Sequence, residues 1–292
     1  MGQQIENKML KKVECLIANS KDEIASRLGC VPLFGAIAGS WSLNLANEKS
    51  DIDIYMITQD VPEKTLQSIE INNLGKVDCT CVALDEVIEA CEDYVKCEHR
   101  YPTRFFRGEK ETLAITKNVG RERPDFKREI VMRIFIAEKI FEFQKGAIHK
   151  NYEKLKSGLL LIDVWDAYFN RAYGNYIESI KNNQIVLLRK YLHTISEIMI
   201  CYQIIDRTEK VDMNFVYTFT APLHYSVDEE IAGIFNKLWD KNKRESLPKT
   251  KATIISDEKL NSWIETNLEE LLDKMRVDEP YLRTSYLWSV IS

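Results

Sequence analysis

Histidine is scarce in this 292-residue chain and cysteine has no pattern. The four histidines share no metal-cluster spacing, and the seven cysteines include no Cys-x-x-Cys pair, so neither a zinc site nor a disulfide framework is expected. No apolar run reaches the ~20 residues that a bilayer-crossing helix needs. No repeat period, low-complexity tract or flexible linker is visible. Met1-Gly2 leads into polar residues rather than a charged-then-apolar leader, and Glu6 stands where a myristoylation signal has Ser or Thr. The expectation is a reduced, cytoplasmic protein with no membrane attachment.

Composition is that of an ordinary globular chain, 45% hydrophobic and 29% charged, long enough for two modest domains. A net charge of −5 argues against an indiscriminate nucleic-acid binder, but the charge is unevenly spread. Residues 1–95 hold eight Lys and Arg against sixteen Asp and Glu, whereas residues 96–133 hold eleven against six. Within the basic segment Arg100, Arg104 and Arg107 interleave with Tyr101, Phe105 and Phe106. That mixture lets bases stack while guanidinium groups pair with phosphates. The competing reading is an aromatic core with a solvated arginine rim.

Two neighbouring stretches are the most informative. Residues 33–40, LFGAIAGS, read as a strand ending in a small-residue turn, and residues 51–57, DIDIYMI, read as a second strand. Glycine lets a backbone approach a ligand, and free N–H groups in a turn attract anionic oxygens, so Gly39 and Ser40 are candidates for holding phosphate. Strand side chains at i and i+2 share a face roughly 7 Å apart. Asp51 and Asp53 therefore point one way while Ile52, Ile54 and Met56 point toward a core. Paired carboxylates suit Mg²⁺, a hard cation that takes oxygen ligands. A further strand carries another acid. Residues 75–83 alternate, with Val77, Cys79, Cys81 and Ala83 on one face and Asp78, Thr80 and Val82 on the other, which singles out Asp78. Asp85 and Glu86 are the fallback, although both read as the first turn of a helix.

Gly39-Ser40, ten residues, then Asp51-Ile-Asp53 resembles the signature of the polymerase-beta nucleotidyltransferase superfamily. The resemblance implies an α+β catalytic core, a small mixed sheet with helices on one side, over residues 1–124, and an all-helical part over 125–292. It further implies that Gly39 and Ser40 hold the phosphates of a nucleoside triphosphate. Asp51 and Asp53 would bind two Mg²⁺ ions, and Asp78 would complete the metal shell and accept the attacking hydroxyl's proton. In the second half, RKYLHTI at 189–195 places Arg189 and His193 one helical turn apart. That segment, with YGNY at 173–176, KREI at 127–130 and LNSWI at 260–264, is similar to the helical part of predicted RNA-repair-pathway nucleotidyltransferases of bacteria and phages. The likeness makes an RNA end the expected acceptor and gives Arg189 and Lys190 to the triphosphate. His193, Trp165 and Trp239 read as packing residues. Two departures stand out: Trp41-Ser-Leu-Asn44 follows the glycine-serine pair where the family often has arginine and then Tyr-Gly, and Asp85-Glu86 occupies a place that is usually basic. The rival readings are a small-molecule nucleotidyltransferase of the aminoglycoside-modifying type and a catalytically silent or antitoxin-type nucleotide-binding module.

Helices are expected at 4–28, 42–47, 62–72, 84–97, 126–145, 148–181, 184–206, 228–243 and 257–276, and strands at 32–38, 51–58, 75–83 and weakly at 111–116 and 213–219.

Overall fold

The computed structural model describes residues 8–43, 45–46, 50–96, 124–137, 139–156, 159–206, 229–244 and 252–284. The basic aromatic cluster at 100–107 and the two weak strands lie outside them, as do His99 and His224. In chain order the elements are α1 (Lys8–Asn19), α2 (Lys21–Leu28), β1 (Pro32–Ala38), α3 (Gly39–Ser42), β2 (Ile52–Thr58), β3 (Leu66–Ile71), β4 (Gly75–Ala83) and α4 (Leu84–Lys96). There follow α5 (Pro124–Phe135), β5 (Ile140–Glu142), α6 (Ala147–Lys156), α7 (Leu161–Ser179), β6 (Ile185–Leu187), α8 (Leu188–Ile205), α9 (Glu229–Arg244), β7 (Thr253–Ile255) and α10 (Glu258–Thr284).

Five strands form one mixed sheet in the order β3-β4-β2-β1-β5. Only β2 and β4 run parallel; the other pairs are antiparallel. The chain is thus a mixed α+β protein with a small sheet. Helices cover both faces of that sheet rather than the one expected. On one face, Ile17, Ile24 and Leu28 of α1 and α2 pack on Ile37, Ile54, Met56, Val77, Cys79 and Cys81. On the other, Phe34, Ile57 and Val82 meet Val87 and Cys91 of α4 and Ile130 to Phe135 of α5, and this core continues into α7, α8 and α10. Each fully buried Leu, Ile or Phe there contributes roughly 1.5–3 kcal/mol of hydrophobic stabilisation. The small cysteines pack as apolar groups, as their alternation implied, and burial pushes the Cys79 thiol up to about 12.

Several expected helices are corrected. Residues 66–71 form β3, not a helix, because the Ile69 and Ile71 side chains bury on alternate positions and the turn beyond them is a hairpin: Asn73 and Gly75 both have positive φ. Residues 140–142 form β5 on the free edge of β1, with Phe141 buried between the half-buried Ile140 and Glu142, so the expected 126–145 helix ends at Phe135. Residues 185–187 leave the expected helix to pair with 253–255 as a two-stranded ribbon. The first helix is split at Ser20, and residues 148–181 divide into α6 and α7. Beyond residue 124 the described residues are therefore not helix alone, and the sheet draws on both sides of that position. Among the described residues no helix is long and apolar enough to cross a membrane.

Candidate active site

Strand register places the site. Ala38 lies opposite Asp53, Asp53 opposite Asp78, and Asp78 opposite Ser68, so one row of residues crosses β1, β2, β4 and β3 at the same level. Period-two alternation sends Asp53 and Asp78 to the face away from α1 and α2, because Ile52, Ile54, Val77 and Cys79 take the buried one. Both acids are half-buried and Asp51, at the mouth of β2, is exposed.

The row ends against the bend at Gly39. That residue has φ of 62°, a left-handed conformation, and a Cβ placed on it would lie 2.1 Å from Asp53 Oδ2. The missing side chain is what lets the Asp53 carboxylate lie against the backbone of the bend. Helix α3 starts at Gly39 itself, three residues earlier than the expected helix at 42–47. Ser40 is consequently buried, and its carbonyl accepts the amide of Leu45 at 2.8 Å. The serine lining the crevice beside Gly39 is Ser42, whose Oγ donates to the Gly39 carbonyl at 2.8 Å. Trp41 packs with the sheet rather than between helices, and its indole N–H donates to the Asp51 carbonyl at 3.0 Å. The bend and the first acid are thereby tied together. From the other side Asn242 of α9 donates to the Leu45 carbonyl at 2.7 Å, docking a late helix on the loop behind the bend.

Asp78 is engaged sideways along the sheet. Ser68 Oγ donates to its Oδ1, and Lys76 Nζ donates to its Oδ2 at 3.1 Å. The hydrogen bond and charge of Asp78 hold the Lys76 ammonium above its usual lysine value, and the charges of Asp51 and Asp53 add to the effect. The lysine is thus a positive charge among the three acids. Among the described residues no group of three or more His, Cys, Asp or Glu side chains closes around a common point. Chemically the set fits a hard divalent cation: all donors are oxygens, they lie on or next to two adjacent inner strands, and a single positive charge offsets only part of theirs. Geometrically, the Asp78 carboxylate has to release Ser68 and Lys76 to join the other two.

Sequence reasoning missed the cations opposite the bend. The crevice at Gly39 is lined also by Tyr55, by Arg133 of α5, and by Tyr168 and Arg171 of α7. Arg133 is buried, donates from Nε to Glu129 at 2.7 Å and sits 4.6 Å from the centre of the Tyr168 ring. Burial is the largest single effect and opposes its charge, but Glu129 together with Tyr168, Tyr55 and Glu197 outweighs it, and its pKa is raised. The signal for Tyr55 was present, since it shares the strand face of Asp53. Arg133 and Arg171 carry no local signature, because only the packing of α5 and α7 on the sheet brings them to the bend. Arg189 and Lys190 line a larger cavity between α7 and α8, and Arg171 borders both hollows. Asp85 and Glu86 lie in the first turn of α4, as expected, and Glu86 pairs with Lys127 at 2.7 Å.

No family model matches the sequence, and a search of curated proteins returns no match. Among solved structures, the crystal structure of a nucleotidyltransferase-like protein from Exiguobacterium sibiricum is similar over 91% of this chain and 75% of that one, at 12% identity and a TM-score of 0.25. At that score the likeness adds nothing to the reading of individual residues, which rests on this chain's own geometry.

Proposed function

We propose that this protein is a Mg²⁺-dependent nucleotidyltransferase that moves a nucleoside monophosphate from a nucleoside triphosphate to a hydroxyl acceptor, an RNA end, and releases pyrophosphate. One observation carries the reading. Asp53 on β2, Asp51 just before that strand, and Asp78 at the level of Asp53 on the parallel neighbour β4 lie beside a left-handed glycine bend that presses on Asp53.

Asp51, Asp53 and Asp78 would hold the metal, which when bound supplies charge neutralisation and lowers the pKa of a bound hydroxyl. The rest is the work of the chain. The bend at Gly39 and Ser40 offers backbone N–H groups to the phosphates, with Ser42 beside it. Arg133, Arg171, Arg189 and Lys190 supply positive charge from the helices opposite. The acceptor oxygen forms a bond to the α-phosphorus as the bond from that phosphorus to the pyrophosphate oxygen breaks, and the acceptor proton passes to the Asp78 carboxylate. The cations facing the bend favour an anionic acceptor over an aminoglycoside.

The test is incubation of the protein with Mg²⁺, each α-labelled nucleoside triphosphate and, in parallel, total RNA, a cationic aminoglycoside or no acceptor. Label transferred to RNA is the expected result. Label on the aminoglycoside alone would replace the acceptor, and no transfer or pyrophosphate release in any arm would overturn the activity.

A further inference from the structure

Between α7 and α8 lies an open cavity of about 380 Å³. The crevice beside Gly39 has only about 10 Å³, room for one water. Of the two adjacent hollows that Arg171 borders, the first is the larger and has room to enclose a phosphate group. Its wall carries Arg171, Arg189, Lys190 and His193, against the single exposed acid Glu178. Arg189 and Lys190 stand in the first turn of the 18-residue α8, which has no acid there and no side-chain cap. Cations at that end of a helix oppose its dipole, so the arrangement costs stability unless an anion shares it. Burial first, and the neighbouring Arg189 second, push the Lys190 ammonium below its usual value.

Behind the wall sits a carboxylate that faces no solvent. Glu197 of α8 is fully buried and forms an ion pair with Arg171, Oε1 to Nε 3.0 Å. Its other oxygen accepts from the Asn175 amide at 3.4 Å, and the Asn175 carbonyl oxygen in turn accepts from Lys190 Nζ at 2.6 Å. One buried acid thus fixes two wall cations, one directly and one through an amide, and leaves the outward side of each toward the cavity. Such second-row anchoring is how recognition sites keep charged side chains in one orientation.

We infer that the α7/α8 cavity is a binding site for a phosphate group, with Glu197 as the positioning residue that orders Arg171 and, through Asn175, Lys190. The inference rests on the proposed activity only for the source of the phosphate, which is either the triphosphate tail of the nucleotide or a phosphorylated end of the acceptor. Both offer the same doubly charged oxygens to the same cations.

Calorimetric titration of the full chain with inorganic tripolyphosphate, without divalent metal, tests it. The wild type is expected to bind, with affinity falling as salt rises. Arg189→Gln with Lys190→Gln, both partly exposed and tolerant of replacement, should weaken binding at least tenfold with a melting temperature that holds or rises. Asp51→Asn with Asp53→Asn should leave it unweakened, which separates this site from the acidic one. Glu197→Gln, whose folding is checked by circular dichroism, should weaken tripolyphosphate binding and raise KM for the nucleotide more than it lowers kcat, and Glu197→Asp should restore part of the loss. Competition by ATP but not by a 5′-phosphorylated oligoribonucleotide assigns the site to the nucleotide, and the reverse assigns it to the acceptor. Absence of tripolyphosphate binding by the wild type, or equal affinity in the Arg189/Lys190 double variant, would overturn the inference.

Discussion

Replacing Gly39 by alanine isolates the contact on which the active-site reading rests. The new methyl group would lie 2.1 Å from Asp53 Oδ2, whereas ordinary contacts begin at 3.4 Å, so the carboxylate or the bend must shift by about 1 Å. An alanine at φ of 62° also bears a left-handed strain of roughly 1–2 kcal/mol. The two effects predict different sizes in two assays. A loss of 1–2 kcal/mol lowers the melting temperature by roughly 2–8 °C in a chain of this size. A displacement of about 1 Å at a catalytic group costs on the order of 100-fold in rate. Thermal unfolding and pyrophosphate release on the same preparations therefore should show a small change in the first and a large one in the second. Gly75→Ala supplies the control: it has a positive φ of 74° with nothing within 4 Å of the added carbon, so it should lose similar stability and keep its activity. A Gly39→Ala protein with wild-type turnover, or a Gly75→Ala protein equally inactive, would refute the argument that the bend positions Asp53.

Asp51→Asn with Asp53→Asn should lower pyrophosphate release by several orders of magnitude while the melting temperature holds or rises, since like charges are removed; undiminished release sinks the catalytic assignment. Lys76→Met removes the ammonium that hydrogen-bonds Asp78, so Mn²⁺ binding followed by electron paramagnetic resonance should tighten, and weaker binding would show that the lysine does not compete with a cation. Trp41→Phe deletes the 3.0 Å bond to the Asp51 carbonyl and should cost about 0.5–1.5 kcal/mol in urea unfolding; a larger effect on nucleotide KM than on stability is expected, because the bond joins the bend to the acid. Burial raises the Glu197 carboxyl above its ordinary 4.5, so its contribution to stability is complete below pH 4.5 and is lost as pH rises through the raised value. Glu197→Gln should flatten that part of the pH profile of unfolding, and a superimposable profile would contradict the assignment.

The strands of the site were legible because each carries its own alternation. Residues 51–57 and 75–83 place aspartates between apolar neighbours, and burial follows that pattern residue by residue. The bend was legible through Gly39, whose positive φ a glycine alone adopts readily. What failed was the reading of short strands amid helix-compatible residues. The Leu66 and Ile69 spacing fits a helix as well as a strand, and only the Asn73-Leu74-Gly75 turn, which closes a hairpin, decides between them. The strand at 140–142 is three residues long and is stabilised by the free edge of β1, a partner more than a hundred residues earlier. Ser40 was expected at the phosphate because of its neighbour, but α3 begins at Gly39 and turns Ser40 inward and Ser42 toward the crevice. Arg133, Arg171 and Glu197 left no trace at all in the local sequence. Each gains its role only from the packing of α5, α7 and α8 against the sheet and one another.

The placement of Glu197 is hard to explain by stability. A buried ion pair is commonly matched or surpassed by an apolar replacement of similar volume, because desolvating a carboxylate costs several kcal/mol. Here much of the surrounding α8 surface is already buried and apolar, Ile195, Ile198, Ile200 and Cys201 among it, with only the small polar Thr194 and Ser196 buried close by. A leucine at 197 would continue that core. The carboxylate instead points at Arg171 and Asn175, and through the latter reaches Lys190. The same Arg171 borders the crevice at Gly39, on the sheet side of the molecule. A cation ordered from beneath by a fixed acid meets an arriving phosphate without first losing rotamer freedom, an entropy cost of roughly 0.5–1.5 kcal/mol for each such side chain. The acid row on β2 and β4 is built the opposite way, with its counter-charge on the exposed Lys76, which on the proposed function would move aside for a metal. The proposed phosphate wall is thus ordered by a buried acid, whereas the acid row is met by a cation from the solvent side. That difference would suit a site that captures polyphosphate before it gathers its metal.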